Sequence, residues 1–132
     1  MLWKMICVFT LMVAPGCVAL PTQHRGDKTT HEQINHVVFM KLIKPAQVNK
    51  LIADCDRLLP TIPGVQDYWC GQHGDFERTM VDDNYDVGLC VTFHSAHDYA
   101  VYVEHGNHIE LVRAWKPHLE WLRVHDVVID VP

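Results

Sequence analysis

Apolar and polar residues follow two different periods in the first half of the folded region. Residues 34–43 are rich in β-branched and aromatic side chains and stop before Lys44-Pro45, which is typical of a strand. From residue 45 to residue 59, apolar side chains recur at spacings of three and four, with polar residues on the opposite side. This spacing predicts an amphipathic helix that accepts Pro in its first turn.

Two further strands are predicted in the middle of the chain. Residues 65–70 have the aromatic content of a strand and follow a turn that contains two prolines and a glycine. Residues 71–84 are polar and contain glycine, which indicates a long loop of the kind that is often functional. Residues 85–93 then alternate between apolar and polar or small side chains, and this period of two predicts the third strand.

A second helix is predicted to begin near residue 96. Ser95 and Asp98 have the spacing of a capping box, in which a hydroxyl and a carboxylate satisfy free amides at a helix start. The helix meets Gly106-Asn107, where we expect a bend or break, and Pro117 interrupts it again. We expect a short helical piece to continue from there to Leu122.

Residues 123–129 are predicted to form the last strand, which completes the order β-α-β-β-α-β. This α+β order predicts a ferredoxin-like fold, in which two helices cover one face of a four-stranded antiparallel sheet. The first strand carries apolar side chains in both directions, so the uncovered face is apolar too. We therefore expect two sheets to pack face to face as a homodimer, a dimeric α/β barrel.

The N-terminal 20 residues have the character of an export signal. A basic residue precedes the apolar run 5–14, which is long enough for a signal-peptide core and too short to span a membrane. Gly16-Cys17 resembles the end of a bacterial lipobox, which makes Cys17 a candidate for lipidation; ordinary cleavage after Ala19 is the alternative. We expect an exported protein, either periplasmic or a lipoprotein anchored to the membrane.

Residues 21–31 are polar and lack an apolar anchor, which predicts a flexible linker that contains His24 and His31.

The remaining residues, 32–132, suit one folded domain, because the chain has 132 residues of which 48% are hydrophobic and 20% charged. Eleven basic residues against sixteen acidic ones give a formal charge of −5. A chain without a cationic surplus is not expected to bind nucleic acid.

The five cysteines exclude a structural zinc knuckle, because none of them forms a C-x-x-C pair. Cys55 falls on the apolar stripe of the first helix and is expected to pack there. Whether Cys70 and Cys90 pair in an oxidising compartment is left open, because their geometry decides it.

Ten histidines in so short a chain are the unusual feature of its composition. The pairs His94/His97 and His105/His108 each have a spacing of three residues, which places two imidazoles one helical turn apart. No carboxylate is placed by the sequence to complete a ligand set, so we expect neither a metal site nor a cofactor.

The folded region resembles the stress-responsive α/β-barrel (Dabb) domain family, from about residue 34 to residue 128. The resemblance rests on these segments: HVVFMKL at 36–42, IPGV at 62–65, YDV at 85–87, YVEHGNH at 102–108 and VHD at 124–126. In the family His-Pro-x-His is typical, whereas this chain has Gly106 after His105. The family implies a ferredoxin-like fold and a dimer, often without a known activity.

The resemblance also implies a site. In the plant polyketide cyclase that makes olivetolic acid, a tyrosine and a histidine of this helix act as an acid–base pair in an intramolecular aldol condensation. Tyr102 and His108 match those two positions, which makes them the candidate catalytic residues. His105 matches the intervening histidine and His36 the histidine of the first strand, and we assign both to ligand binding.

The residues themselves are consistent with such a site. On a continuous helix, Tyr102, His105 and His108 fall within an arc of roughly 120°. His36 shares its side of the first strand with apolar residues, and Trp69 is expected to form the floor of a pocket for an apolar ligand. Asp126 is an unusual carboxylate in an apolar strand, and we expect it to hydrogen-bond backbone or a nearby histidine.

Three functions are compatible with these features. The leading interpretation is an exported domain of uncharacterised role that binds a small apolar ligand in a pocket of each protomer. The second is an acid–base enzyme similar to the polyketide cyclase, with Tyr102 and His108 as principal groups. The third is a structural or stress-related dimer without catalysis. A buried apolar cavity that contacts Tyr102, His108 and His36 would favour the first two functions, whereas a packed interior without a cavity would favour the third.

Overall fold

The computed structural model describes residues 31–131. The predicted signal peptide, most of the predicted linker and the candidate lipidation residue Cys17 lie outside the described residues. Within residues 31–131, the helices are all too short or too polar to cross a membrane.

The described chain folds into one four-stranded antiparallel sheet and three α-helices. The sheet order is β2-β3-β1-β4, and the predicted ferredoxin-like fold is confirmed. In chain order the elements are β1 (His31–Leu42), a 3-10 turn (Pro45–Gln47), α1 (Val48–Leu58), β2 (Asp67–Gln72), β3 (Val87–Phe93), α2 (Ala96–Glu104), α3 (Gly106–Trp115), a 3-10 turn (Lys116–His118) and β4 (Leu119–Val131).

The core lies between the helices and one face of the sheet. From Ile34 to Leu42, the even-numbered residues of β1 point to this face and are buried, because side chains alternate along a strand. They meet the apolar stripe of α1, where Leu51, Cys55 and Leu58 are buried at helical spacing. Among these core positions, His36 is the buried polar residue, and it is only 7% exposed.

The second helical region is broken in two, as the glycine near its middle predicts. Ser95 caps α2, because its Oγ accepts a hydrogen bond of 3.1 Å from the backbone N of Asp98. The backbone of His105 is extended, and its Nδ1 accepts a hydrogen bond of 3.2 Å from the backbone N of Asn107. His105 is therefore the N-cap of α3, and the arc that Tyr102, His105 and His108 would share on a continuous helix does not apply across this break.

The predicted helical piece up to Leu122 is also wrong. The 3-10 turn ends at His118, and β4 begins at Leu119, four residues before the predicted start. Pro117 removes one amide donor, and the carbonyl of His118 accepts a hydrogen bond of 3.0 Å from the backbone N of Ile43. This contact brings the chain back to the sheet, where Leu119 pairs with Leu42.

The first strand begins earlier than the sequence predicts. It starts at His31 instead of Ile34, because β4 continues to Val131 and pairs with it. The last residue of the predicted linker is therefore part of the sheet.

Candidate functional site

A cavity of about 620 Å³ lies between the sheet and the helices, on the side of β1 and β4. Most of its wall is aliphatic or aromatic. The polar side chains that line it are His36, Tyr99, Tyr102, His108 and Lys116. A mostly apolar cavity with a few convergent polar groups is the usual form of a small-molecule site.

The cavity exists because α3 is held against α1 at both of its ends. At the start of α3, the Nδ2 of Asn107 donates to the carbonyl of Leu58 at 3.2 Å and to Oγ1 of Thr61 at 3.0 Å. At the other end, Nε1 of Trp115 donates to Oδ2 of Asp54 at 3.1 Å. These contacts draw α3 toward α1 and away from the strand at the opposite edge of the sheet, β4.

The mouth of the cavity lies between the helices and β4. Val103 and Val112 on the helices and Leu122 and Val124 on β4 all line the cavity, yet each is between 39% and 49% exposed. Apolar side chains that line a cavity and also face solvent mark its opening. A ligand that filled the cavity would remove this apolar surface from water.

Four aromatic rings converge at one end of the cavity. The ring of Tyr102 lies 4.7 Å from the ring of His108 and 5.8 Å from that of His36, measured between centroids. His36 also lies 5.4 Å from Tyr99. The structure thus brings together the predicted residues Tyr102, His108 and His36, which come from α2, α3 and β1.

His36 is oriented by a carboxylate on the neighbouring strand. Its Nδ1 donates a hydrogen bond of 2.7 Å to Oδ1 of Asp126, which is the register partner of His36 on β4. The hydroxyl of Tyr99 donates to the other oxygen of the same carboxylate at 3.0 Å. With Nδ1 used in this way, the second ring nitrogen of His36 is left for a ligand.

The hydrogen bond of His108 fixes its neutral tautomer. Its Nδ1 lies 3.0 Å from the carbonyl oxygen of Val103, and a carbonyl oxygen can only accept, so Nδ1 carries the proton. In the neutral ring, Nε2 is then the basic nitrogen. Burial lowers the pKa of His108 from its ordinary value, and the nearby His36 lowers it too, while the bond to Val103 opposes the shift.

The hydroxyl of Tyr102 is a hydrogen-bond donor on a ring that lies beside that of His108. Its ring is 2% exposed, and burial raises the pKa of its hydroxyl, so the group stays protonated. In the part of the chain that the structure describes, no side chain hydrogen-bonds this hydroxyl. A neutral imidazole base and a protonated phenol at one end of an apolar cavity can bind a carbonyl compound and can exchange a proton beside that carbonyl.

Two of the predicted ligand-binding residues lie away from the cavity. The imidazole of His105 caps α3 and does not line the cavity. Trp69 lies on β2 opposite Cys90, on the face of the sheet that the helices do not cover, and is 51% exposed. Their predicted role in ligand binding has no support in this arrangement.

No group of three or more His, Cys, Asp or Glu side chains is placed to hold a metal ion within residues 31–131. His94 and His97 are both exposed near the start of α2.

The structure adds two residues to the site that the sequence did not assign to it. Tyr99 lies one helical turn before Tyr102, so the helical spacing was a usable signal for it. Asp126 was expected to bond backbone or a histidine, and the register of β1 against β4 shows that its partner is His36. The sequence alone carries no signal for that register.

Comparison with known proteins gives one family and one fold. The model of the stress responsive A/B barrel domain family matches residues 34–129. No curated protein matches the chain significantly.

Three solved structures that share this fold are distant in sequence. A dimeric ferredoxin-like protein of unknown function from Thermobifida fusca is 20% identical, with a TM-score of 0.63 over 75% of this chain and 92% of that chain. A Dabb family protein from Mesorhizobium loti is 23% identical, with a TM-score of 0.61 over 76% and 97%. A hydroxynitrile lyase from Passiflora edulis is 21% identical, with a TM-score of 0.62 over 76% and 95%.

Proposed function

The chain belongs to the stress responsive A/B barrel domain family, and from this premise we propose that each protomer binds a small, mostly apolar ligand that carries a carbonyl group. The observation that carries the proposal is the cavity of about 620 Å³ with Tyr102, His108 and His36 at one end. A purely structural domain would gain stability by filling this space, because an unfilled cavity forfeits packing contacts.

The polarity of the cavity wall sets the orientation of the ligand. His36 and Met40 lie on the same face of β1, so roughly 13 Å of strand separates the polar end from the apolar part of the wall. The carbonyl would accept a hydrogen bond from Tyr102, and the hydrocarbon part would extend toward Met40 and Trp115. Burial of that hydrocarbon would supply most of the affinity.

Native mass spectrometry of the full chain purified from its own host tests this proposal. We expect protein ions that carry an additional small mass, which is released on gentle activation. Val124→Trp narrows the mouth and is the matched variant; we expect it to fold and to lose the additional mass. Ligand-free wild-type protein, or equal retention by the variant, would contradict the proposal.

The second candidate function is acid–base catalysis at the same site, and the tautomer of His108 is the observation that favours it. With Nδ1 bonded to Val103, Nε2 is free to take a proton from the carbon beside a bound carbonyl. The hydroxyl of Tyr102 would stabilise the enolate oxygen that forms, and His108 would return the proton to carbon. His36, held by Asp126, would hold the carbonyl compound in place.

Hydrogen–deuterium exchange of a ketone tests this second function without knowledge of the substrate. In deuterated buffer, we expect the wild-type protein to accelerate exchange at the carbons beside the carbonyl of 2-nonanone, as followed by NMR. His108→Asn is expected to lose at least roughly a hundredfold of that acceleration. If the wild-type protein binds 2-nonanone but exchange proceeds only at the rate of the buffer, the result would contradict catalysis and support binding alone.

We also propose that the protein acts as a homodimer. The support is the apolar surface on the face of the sheet away from the helices, which carries Phe39, Trp69, Val127 and Ile129. Homologous structures are described as dimeric. Light scattering at micromolar concentration should give the mass of a dimer for the wild-type chain and that of a monomer for Val127→Asp. A wild-type monomer would contradict this proposal.

Export and lipid anchoring through Cys17 complete the proposal. Their support is the apolar run at residues 5–14 and Gly16-Cys17 after it. Mass spectrometry of the mature N-terminus from the native host would distinguish a lipidated Cys17 from cleavage after Ala19. An unprocessed N-terminus would contradict export by this route.

A further inference from the structure

Two cysteines from different elements meet on the side of the core opposite to the cavity mouth. Cys55 lies on α1 and is 0% exposed, and Cys70 lies on β2 and is half-buried. Cys70 pairs in register with Leu89, a core residue, so its side chain points to the face that α1 covers. In the structure both cysteines are free thiols.

The two thiols face each other between α1 and β2. Cys55 belongs to the buried core and Cys70 packs against that core. The thiol of Cys55 donates toward the sulfur of Cys70. A disulfide needs an S–S separation of roughly 2 Å and side chains directed toward each other. Because α1 packs against β2 and Cys70 points to the face that α1 covers, we expect closure to need a rearrangement of these two side chains.

The register excludes the other pairing that the sequence left open. Cys90 is opposite Trp69 in the β2–β3 ladder, whereas Cys70 is opposite Leu89. Because successive residues of a strand point to opposite faces, Cys70 and Cys90 lie on different faces of the sheet. A Cys70–Cys90 disulfide would have to cross the sheet, and Cys90 is therefore an internal control for the chemistry of Cys70.

The environments of the two thiols differ. The hydrogen bond from Cys55 lowers the pKa of the Cys70 thiol, and burial opposes this shift. The hydrogen bond with Cys70 raises the pKa of Cys55, and burial raises it further. Cys70 is thus the thiol that ionises more readily and is closer to solvent. Cys55 is the buried thiol, and it would act as the resolving cysteine.

We propose that Cys55 and Cys70 form a disulfide that links α1 to β2 when the protein meets a disulfide oxidant. The inference is carried by the placement of the two side chains: Cys55 is buried on α1, and Cys70 on β2 points to the face that α1 covers and packs against the same core. It does not depend on what the cavity binds. An exported protein would meet such oxidants, because disulfides form and persist in extracytoplasmic compartments.

The chemistry is a double thiol–disulfide exchange. The Cys70 thiolate attacks one sulfur of the oxidant, the S–S bond of the oxidant breaks, and one of its halves leaves as a thiolate. The Cys55 thiol then loses its proton to water and attacks Sγ of Cys70, which expels the second half of the oxidant. Two protein thiols are oxidised to one disulfide, and the disulfide oxidant is reduced to two thiols.

Peptide mapping of the full chain tests the proposal. The chain is incubated with oxidised glutathione, alkylated in urea so that buried thiols also react, and digested with trypsin without reductant. The three cysteines of the folded region fall in separate tryptic peptides, residues 51–57 for Cys55, 58–78 for Cys70 and 79–113 for Cys90.

We expect the first two peptides to appear as one linked species, two hydrogens lighter than their sum, which dithiothreitol converts back to two. The Cys90 peptide should remain alkylated in full. Detection of both Cys55 and Cys70 as alkylated peptides, of a lasting glutathione adduct on Cys70, or of a Cys70–Cys90 link would each overturn the proposal.

Variants separate the cross-link from a failure to fold. Cys90→Ser should leave the linked species unchanged, and Cys70→Ser should abolish it and leave Cys55 alkylated only in urea. A second readout is the thermal midpoint, which we expect oxidation to raise in the wild type and in Cys90→Ser but not in Cys70→Ser. If oxidation does not raise the thermal midpoint of the wild type, the disulfide does not fit the native structure. This result would contradict the proposal even if the linked peptide were detected.

Discussion

The two halves of the sheet are covered by helices in different ways. Over β2, α1 packs directly: its central residue Cys55 is completely buried in the core, and Cys70 of β2 packs against that core. Over β1 and β4, the helices stand off and leave a cavity of about 620 Å³ whose mouth is lined by exposed valines and a leucine. The half at β2 is a packed core, and the half at β1 and β4 lines the cavity.

The difference follows from where α3 is anchored. Asn107 and Trp115 hold both ends of α3 to α1, so the helix is part of the packed half although its other side lines the cavity. The aliphatic residues of β4 therefore face a gap and not a helix. The cavity is therefore a consequence of contacts between helices.

Removal of the anchor at the end of α3 should have the largest effect. Trp115→Ala deletes a 5% exposed aromatic side chain and the hydrogen bond to Asp54, so we expect a loss of about 3–5 kcal/mol in the free energy of unfolding. Trp115→Phe keeps the ring and loses the N–H donor, so it should cost about 1 kcal/mol. Urea denaturation measures both, and equal costs would show that the anchor is only the hydrogen bond.

Added bulk should distinguish the packed half from the open half. Cys55→Phe must fit a phenyl ring into a site without space, and we expect a loss of at least about 1–3 kcal/mol. Val124→Phe places the same ring at the cavity mouth, where we expect a change within about 0.5 kcal/mol. Urea denaturation of both variants gives the comparison directly. Equal destabilisation would mean that the cavity is closed in solution.

The anchor at the start of α3 should be weaker. Asn107→Ala removes two hydrogen bonds, to Leu58 and Thr61, and we expect a loss of about 1–2 kcal/mol with faster amide exchange in the first turn of α3. Asn107→Asp keeps the shape but lacks the amide donors, so it should behave like the alanine variant. A stable aspartate variant would mean that the amide contacts do not hold α3.

The smallest effect is a pH dependence from His108. The pKa of His108 in the folded state is lowered, mainly by burial. Below about pH 6.5 the unfolded state therefore binds a proton at this residue while the folded state is still neutral there. The wild type should therefore lose stability as the pH falls from about 6.5 through the folded pKa. His108→Asn should lose less over the same range when urea denaturation is compared at neutral and mildly acidic pH. Identical pH profiles would contradict the lowered pKa.

The sequence predicted the elements that have a clear local period. The alternation near residues 85–93 and the stripe that contains Cys55 gave β3 and α1 close to their observed bounds. The helical piece expected up to Leu122 is absent, because pairing of β4 with β1 decides the structure from Leu119 onward. Long-range pairing of this kind has no local signature.

The candidate site was predictable only in part, because some of its contacts also depend on long-range pairing. Tyr102, His108 and His36 meet as the resemblance implied, and the helix breaks beside Gly106, as the glycine predicts. The geometry of the break depends on the cap by His105 and on a contact from Asn107 to a different helix, which periodicity cannot report. The pairing of His36 with Asp126 depends on strand register, and the cavity depends on how far a helix stands from the sheet.

Calorimetric titration of the full chain with 2-nonanone tests the central claim, that the cavity binds a carbonyl compound with its polar end at Tyr102. We expect the wild type to bind the ketone and Tyr102→Phe, which differs by one hydroxyl, to bind about tenfold more weakly. Val124→Trp, with its mouth narrowed, should bind less than either. Absence of binding to the wild type, or equal affinity of the wild type and Tyr102→Phe, would contradict the account.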